Sequence, residues 1–275
     1  MPWTGKHLDW MLDSAAAVTT ACGQAVKIYD FSYELGDAVT ISAWAKHFRN
    51  HYCDDNEIDS LCVPMNISRK EYLETYKFPV RKALQKGQKT GPATRAGDFA
   101  EILVSDFLTY RLQYWVPKVR YAFKINPNSS DQGSDVVGMR LVQLGAAKDE
   151  LIVYEVKAKF TGSPVNRLQD AVDHSDKDKY RLAESLNAIR QRLKYTGNSA
   201  ESEKIIRFQN PDDNPYPLRY GAAAVVAQTV FDVNKLALTS TLMHKNRDKL
   251  DLMIIHGPDM MNIVHHLYEK AADEA

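Results

Sequence analysis

Gly133-Ser-Asp-Val-Val-Gly-Met-Arg-Leu141, then Glu150-Leu-Ile-Val-Tyr-Glu-Val-Lys-Ala-Lys-Phe160, is the stretch that decides the fold. It reads as two strands, Ser134 to Leu144 and Glu150 to Phe160, joined by the short turn Gly145-Ala-Ala-Lys-Asp149. Side chains alternate along a strand, so Leu151, Val153, Glu155, Lys157 and Lys159 share one face. Ile152, Tyr154, Val156, Ala158 and Phe160 form the other face, which is wholly apolar and must be buried. Asp135 aligns with Val137, Met139 and Leu141. A turn centred on Gly145 sets Asp135 opposite Glu155, whereas a centre nearer Ala146 or Ala147 moves the pair to a diagonal. Opposed side chains have Cβ atoms about 4.5–5.5 Å apart, and like charges there are destabilising. A positive group is therefore expected between them: Lys157 is one candidate and a metal ion a better one.

Upstream, Thr94 to about Tyr114 has a helical pattern, with Thr94 as the expected N-cap. Glu101 sits inside Phe99-Ala-Glu-Ile-Leu-Val104, and a carboxylate in such a setting needs a cation or strong donors. Asp98 lies one turn earlier and shares that environment or caps the helix start. Trp115 to Ile125 reads as a strand, and Asn126 to Gly133 is dense in turn formers. Downstream come a long helix from Arg167 to Tyr195 and a proline-rich surface loop over 196–217. Strands at Ala222–Phe231 and Leu252–His256 precede a terminal helix at Met260–Ala272. This order indicates an α/β layered core. Residues 1–90 form an N-terminal α+β region with a strand at Ala25–Phe31 and a helix at Ile41–Tyr52. Ser68 and Glu71 have capping-box spacing. The polar stretch Gln85–Pro92, a linker or a loop within one domain, divides 1–90 from 91–275.

With 44% hydrophobic residues the chain can bury a substantial core. Lys plus Arg and Asp plus Glu both number 35, so a nucleic-acid ligand needs a local basic groove or a partner that delivers it. No run approaches the roughly 18 apolar residues of a membrane span, and no secretory leader is evident. Cys22, Cys53 and Cys62 lack metal-site spacing; a zinc site from His51, Cys53 and Cys62 is rejected, and reduced thiols in a cytoplasmic protein are expected.

Two acids and a lysine on one hairpin face, with a helical glutamate beside them, suit a divalent cation and an attacking water. Hard oxygen ligands with open positions favour Mg²⁺ or Mn²⁺. The bland readings are a solvated alternating strand, a turn capped by Asp135, and Glu101 paired with Arg95 or Lys118.

Glu101, Gly133-Ser-Asp135 and Glu155-Val-Lys157 together resemble the PD-(D/E)xK nuclease core, with Ser134 in place of the usual proline. The likeness spans about residues 94 to 195 and implies a restriction-endonuclease-like fold, a mixed sheet flanked by helices. Arg95-Ala-Gly-Asp-Phe-Ala-Glu101 further resembles HamA, the nuclease-subunit family of the Hachiman anti-phage system. That resemblance implies a metal-dependent DNA nuclease restrained or activated by a helicase-type partner. It also implies that Asp135, Glu155 and the Val156 carbonyl ligate Mg²⁺ or Mn²⁺, that Glu101 holds the metal or its water shell, and that Lys157 positions the water. Lys159, Arg190 and Lys194 are the expected phosphate contacts, against a solvated helix face for the latter two. The alternatives are an RNA or branched-DNA nuclease of the same fold and a non-catalytic scaffold.

Overall fold

The computed structural model describes residues 3–83, 90–129, 133–142, 148–176 and 179–275, with Lys179 and Tyr180 entering as backbone only. A 3-10 turn at Lys6–Trp10 leads into β1 (Met11–Asp13), β2 (Val18–Thr19) and β3 (Ala25–Phe31). Helices α1 (Ala38–Arg49), α2 (Asp55–Met65), α3 (Arg69–Tyr72) and α4 (Pro92–Asp106) follow. Then come β4 (Val136–Arg140), β5 (Glu150–Lys159), α5 (Arg167–Ser175), α6 (Lys179–Tyr195) and α7 (Ser199–Gln209). The chain finishes with β6 (Leu218–Ala227), α8 (Val233–Ala237), β7 (Leu250–Gly257) and α9 (Met260–Asp273).

The strands make one mixed sheet in the order β1-β3-β7-β6-β5-β4, with β2 attached to β3. The interior pairs β3–β7, β7–β6 and β6–β5 are parallel, whereas β1 and β4 are antiparallel. Parallel strands are covered on both faces and read as continuous apolar runs. That explains Gly221-Ala-Ala-Ala-Val-Val-Ala227 in β6, which is buried throughout. On one face Phe160 meets Phe99 of α4, and α1 and α9 pack nearby through Phe48 and Tyr268. On the other, Val137, Met139 and Leu151 pack with Leu186 and Leu193 of α6 and Ile205 and Phe208 of α7. Residues 11–31 thus share a sheet with residues 136–257. Among the described residues no helix is long and apolar enough to cross a membrane.

Local chemistry explains most of the agreement with expectation. The β3 span, the β5 span to within one residue, and the burial of Trp44, Phe48 and Tyr52 are as read. Ser68 accepts from the Glu71 N–H at 3.1 Å. Val136 pairs with Tyr154 and Val137 with Val153, the register of a turn centred on Gly145, which itself lies outside the described residues.

Four expectations are corrected. Thr94 lies inside α4, which starts at Gly91 (φ 86°) and Pro92; its hydroxyl donates instead to the Asn128 carbonyl at 2.8 Å. Residues 115–125 form no strand beyond an isolated Trp115–Met139 bridge, because Pro117 has no N–H for a ladder. The long helix is two, α5 and α6. The 196–217 segment contains α7, whose Ser202, Ile205 and Phe208 are buried at helical spacing. Part of the Gln85–Pro92 stretch lies outside the described residues.

Candidate functional site

α4 is the source of the buried acids. Apolar residues on nearly all sides bury the helix, so Asp98, Glu101 and Asp106 are drawn inside with it. Each finds partners. Asp98 accepts from Lys124 Nζ at 2.6 Å and from the Tyr52 hydroxyl at 2.7 Å. Glu101 accepts from the Tyr121 hydroxyl at 2.6 Å and pairs with Arg120 Nε at 2.8 Å. The irregular 112–129 segment supplies most of these partners. Freed from a ladder, it turns Lys118, Arg120, Tyr121 and Lys124 towards α4 and α1.

Asp135 sits one residue before β4, after Gly133, whose φ of 103° is glycine's region. Its carboxylate faces both ways along the site. One oxygen lies 3.2 Å from Arg120 Nη2, and the other accepts from the Val156 N–H at 2.9 Å. A strand residue's N–H and C=O point to the same side. The Val156 carbonyl is therefore directed to the same open edge, beyond the end of β4.

Glu155 is on the opposite face of β5 from Val156 and is buried, with its side chain 5% exposed. Lys157 Nζ donates to it at 2.6 Å, and His174 Nδ1 of α5 stands 3.7 Å away. Ser134, Val153, Ser175 and Tyr220 line the small cavity beside it. A second cavity of about 70 Å³ holds Glu101, Arg120, Asp135 and Arg192, and Ser134 belongs to both walls.

Arg120 bridges Glu101 and Asp135, a pair for which no bridging cation was expected. Lys157 instead neutralises Glu155. Glu101 is the perturbed acid: burial and the nearby Asp135 and Asp98 charges push its pKa up to about 8, against the pull of Arg120 and Tyr121.

The remaining expected residues divide. Lys159 continues β5 beyond Lys157 and is half-buried. Arg190 faces α7, with Nη1 3.4 Å from Gln209 Oε1 and Nη2 3.8 Å from Glu203, so it does not meet the acids. Lys194 is exposed on α6. Arg192 lines the acidic cavity, donating to the Arg120 carbonyl at 3.2 Å. The residues missed are therefore Arg120, Tyr121, Arg192 and His174. One signal was present: three acids on a buried helix require cations, and Lys118, Arg120 and Lys124 were the nearest downstream supply.

Glu101 and Asp135 share one cavity with Arg120 and Arg192, whereas Glu155 lines the neighbouring small cavity with Lys157 against it, and among the described residues the three carboxylates do not gather into one cluster. The oxygens of Asp135, Glu101 and the Val156 carbonyl fit a divalent cation in chemical type.

Comparison with known proteins adds the family. No curated protein and no solved structure matches the chain. The HamA family model matches residues 6–271, a range containing all the site residues described above and every strand. This family points to a component of the Hachiman anti-phage system. The chain belongs to the HamA family.

Proposed function

We propose that the protein is the Mg²⁺- or Mn²⁺-dependent DNA nuclease of a Hachiman system, of PD-(D/E)xK type, working with a helicase-type partner. One observation carries the reading. Asp135, one residue before β4, accepts from the Val156 N–H at 2.9 Å, which ties it to the strand segment that carries Glu155 and Lys157. An inert strand pair has no use for two acids placed there.

In this reading Asp135, Glu155 and the Val156 carbonyl would hold the cation, with Glu101 on it or on its water shell. The chemistry a bound Mg²⁺ or Mn²⁺ supplies is an activated water and screening of phosphate charge. Lys157 orients that water from the Glu155 side and stabilises charge developing on the phosphate. Arg120 now bridges Glu101 and Asp135, and would turn to a phosphate once they are occupied. Arg192 on the same wall extends the basic rim. The near-neutral chain leaves bulk DNA affinity to the partner.

The Arg120 bridge also favours a second reading, a scaffold in which protein cations permanently satisfy the acids. Plasmid degradation separates the two. The purified protein with its genomic-neighbour partner should cleave DNA only with Mg²⁺ or Mn²⁺, and Lys157→Ala or Glu155→Ala should cut the rate by about 10²-fold or more. Cleavage unaffected by either substitution overturns the site. No cleavage under any metal condition supports the scaffold.

A further inference from the structure

Behind the acidic cavity lies a second polar cluster. Asp106, at the end of α4, is 1% exposed and faces three buried imidazoles. His47 Nε2 is 2.7 Å from its Oδ1, His51 Nε2 is 4.0 Å from the same oxygen, and His7 Nε2 is 3.1 Å from Oδ2. His47 lies in the last turn of α1 and His51 just past its C-cap Asn50. The donor atoms of His47, His51 and Asp106 all lie within 4.8 Å of one another. His7 is clamped between Trp3 and Trp44, with ring centroids at 5.4 and 4.4 Å.

His47 is served on both nitrogens, by Asp106 at 2.7 Å and Lys118 at 3.2 Å, and His7 meets Asp106 at 3.1 Å. His51 Nε2 is buried with no hydrogen-bond partner among the described residues. A buried polar atom left so is costly and needs a reason. His51 stands 4.0 Å from Asp106, too far for a hydrogen bond. Lone pairs converging on a cation need no such bond between them.

We propose that His47, His51 and Asp106 form a transition-metal site, most suited to Zn²⁺, with His7 bracing the second oxygen of Asp106. Two imidazoles and one carboxylate match zinc and not magnesium, which prefers oxygen ligands. Zinc–ligand bonds of about 2.0–2.1 Å in a tetrahedron put donor atoms about 3.3 Å apart. The 2.7 and 4.0 Å separations to Asp106 bracket that spacing, and all three ligand atoms lie within 4.8 Å of one another, so side-chain shifts of about 1–1.5 Å close the site. Three protein ligands leave a fourth position open, and His51 lines the cavity that also holds Glu101 and Asp135. Lys118 Nζ, 3.2 Å from His47 Nδ1, is the opposing group. A metal on Nε2 leaves the ring proton on Nδ1, facing that amine.

The test is metal content of untagged full-length protein, by inductively coupled plasma mass spectrometry, after growth with added zinc. About one zinc per chain is expected in the wild type and in Glu155→Gln, and much less in His47→Gln and His51→Gln. Stripping the wild type with a chelator should lower its melting temperature, and Zn²⁺ should restore it where Mg²⁺ does not. That arm needs no variant to fold. Lys118→Met should hold zinc more tightly against a competing chelator. A zinc-free wild type after supplementation, or full zinc in folded His51→Gln, overturns the site. The inference stands apart from the nuclease reading: loss of zinc only in Glu155→Gln would place the metal at the acids and refute it here.

Discussion

Glu101 shows at the residue scale what the cleft is built to do. Burial holds its pKa up at about 8 although Arg120 and Tyr121 both favour the charged form. A raised carboxylate contributes stability that is complete below its unfolded value and is lost as pH rises through its folded one. Without Mg²⁺ or Mn²⁺, charged Glu101 is therefore a burden above about pH 8, and Gln at this position is not. The melting temperature of Glu101→Gln relative to wild type should climb between about pH 4.5 and about pH 8, and level off above, in magnesium- and manganese-free buffer. A constant difference across that range contradicts the assignment. That Glu155 and Lys157 share a strand face was legible, because period-two alternation sorts a strand's faces without further knowledge. Arg120 was not, since its role depends on where an irregular segment turns, and nothing local encodes that.

At the element scale, the β4–β5 hairpin succeeded as a reading because register follows from the turn and from two differently coloured faces. The 115–125 segment failed for an instructive reason. Trp115, Val119, Tyr121 and Phe123 alternate as a strand would, but Pro117 interrupts the ladder, and the side chains scatter: Tyr121 to Glu101 of α4, Val119 and Trp115 to the Met139–Leu186 cluster, Phe123 to Tyr195 of α6. α7 was hidden by Pro211, Pro215 and Pro217, which follow it and end it without preventing it. Packing between parallel strands sets its own demands. A Cβ on Gly221 of β6 would lie 2.3 Å from the Tyr154 ring of β5. Gly221→Ala should therefore cost about 1–3 kcal/mol, read from denaturant unfolding, by forcing Tyr154 off its seat. A neutral effect would show that β5 and β6 are less tightly joined than described.

At the scale of the whole molecule, the boundary near residue 90 is one of composition that the sheet crosses. β3 pairs with β7 from Lys27–Met253 to Asp30–His256, and α1 packs on α9. A fragment of residues 91–275 should therefore lack a cooperative unfolding transition, checked by circular dichroism and calorimetry. A well-folded fragment would restore the two-part division. What the sequence left unread at this scale is the joining of distant segments, because the β3–β7 pairing links residues more than 200 positions apart. The most direct examination of the acidic cleft is a calorimetric titration of Mn²⁺ into wild type, Asp135→Asn and Glu155→Gln, each with a short DNA duplex. Wild type should bind Mn²⁺ at least about tenfold more tightly than either variant, a difference of about 1.4 kcal/mol. Equal binding by all three proteins would contradict a cation held between Asp135 and Glu155.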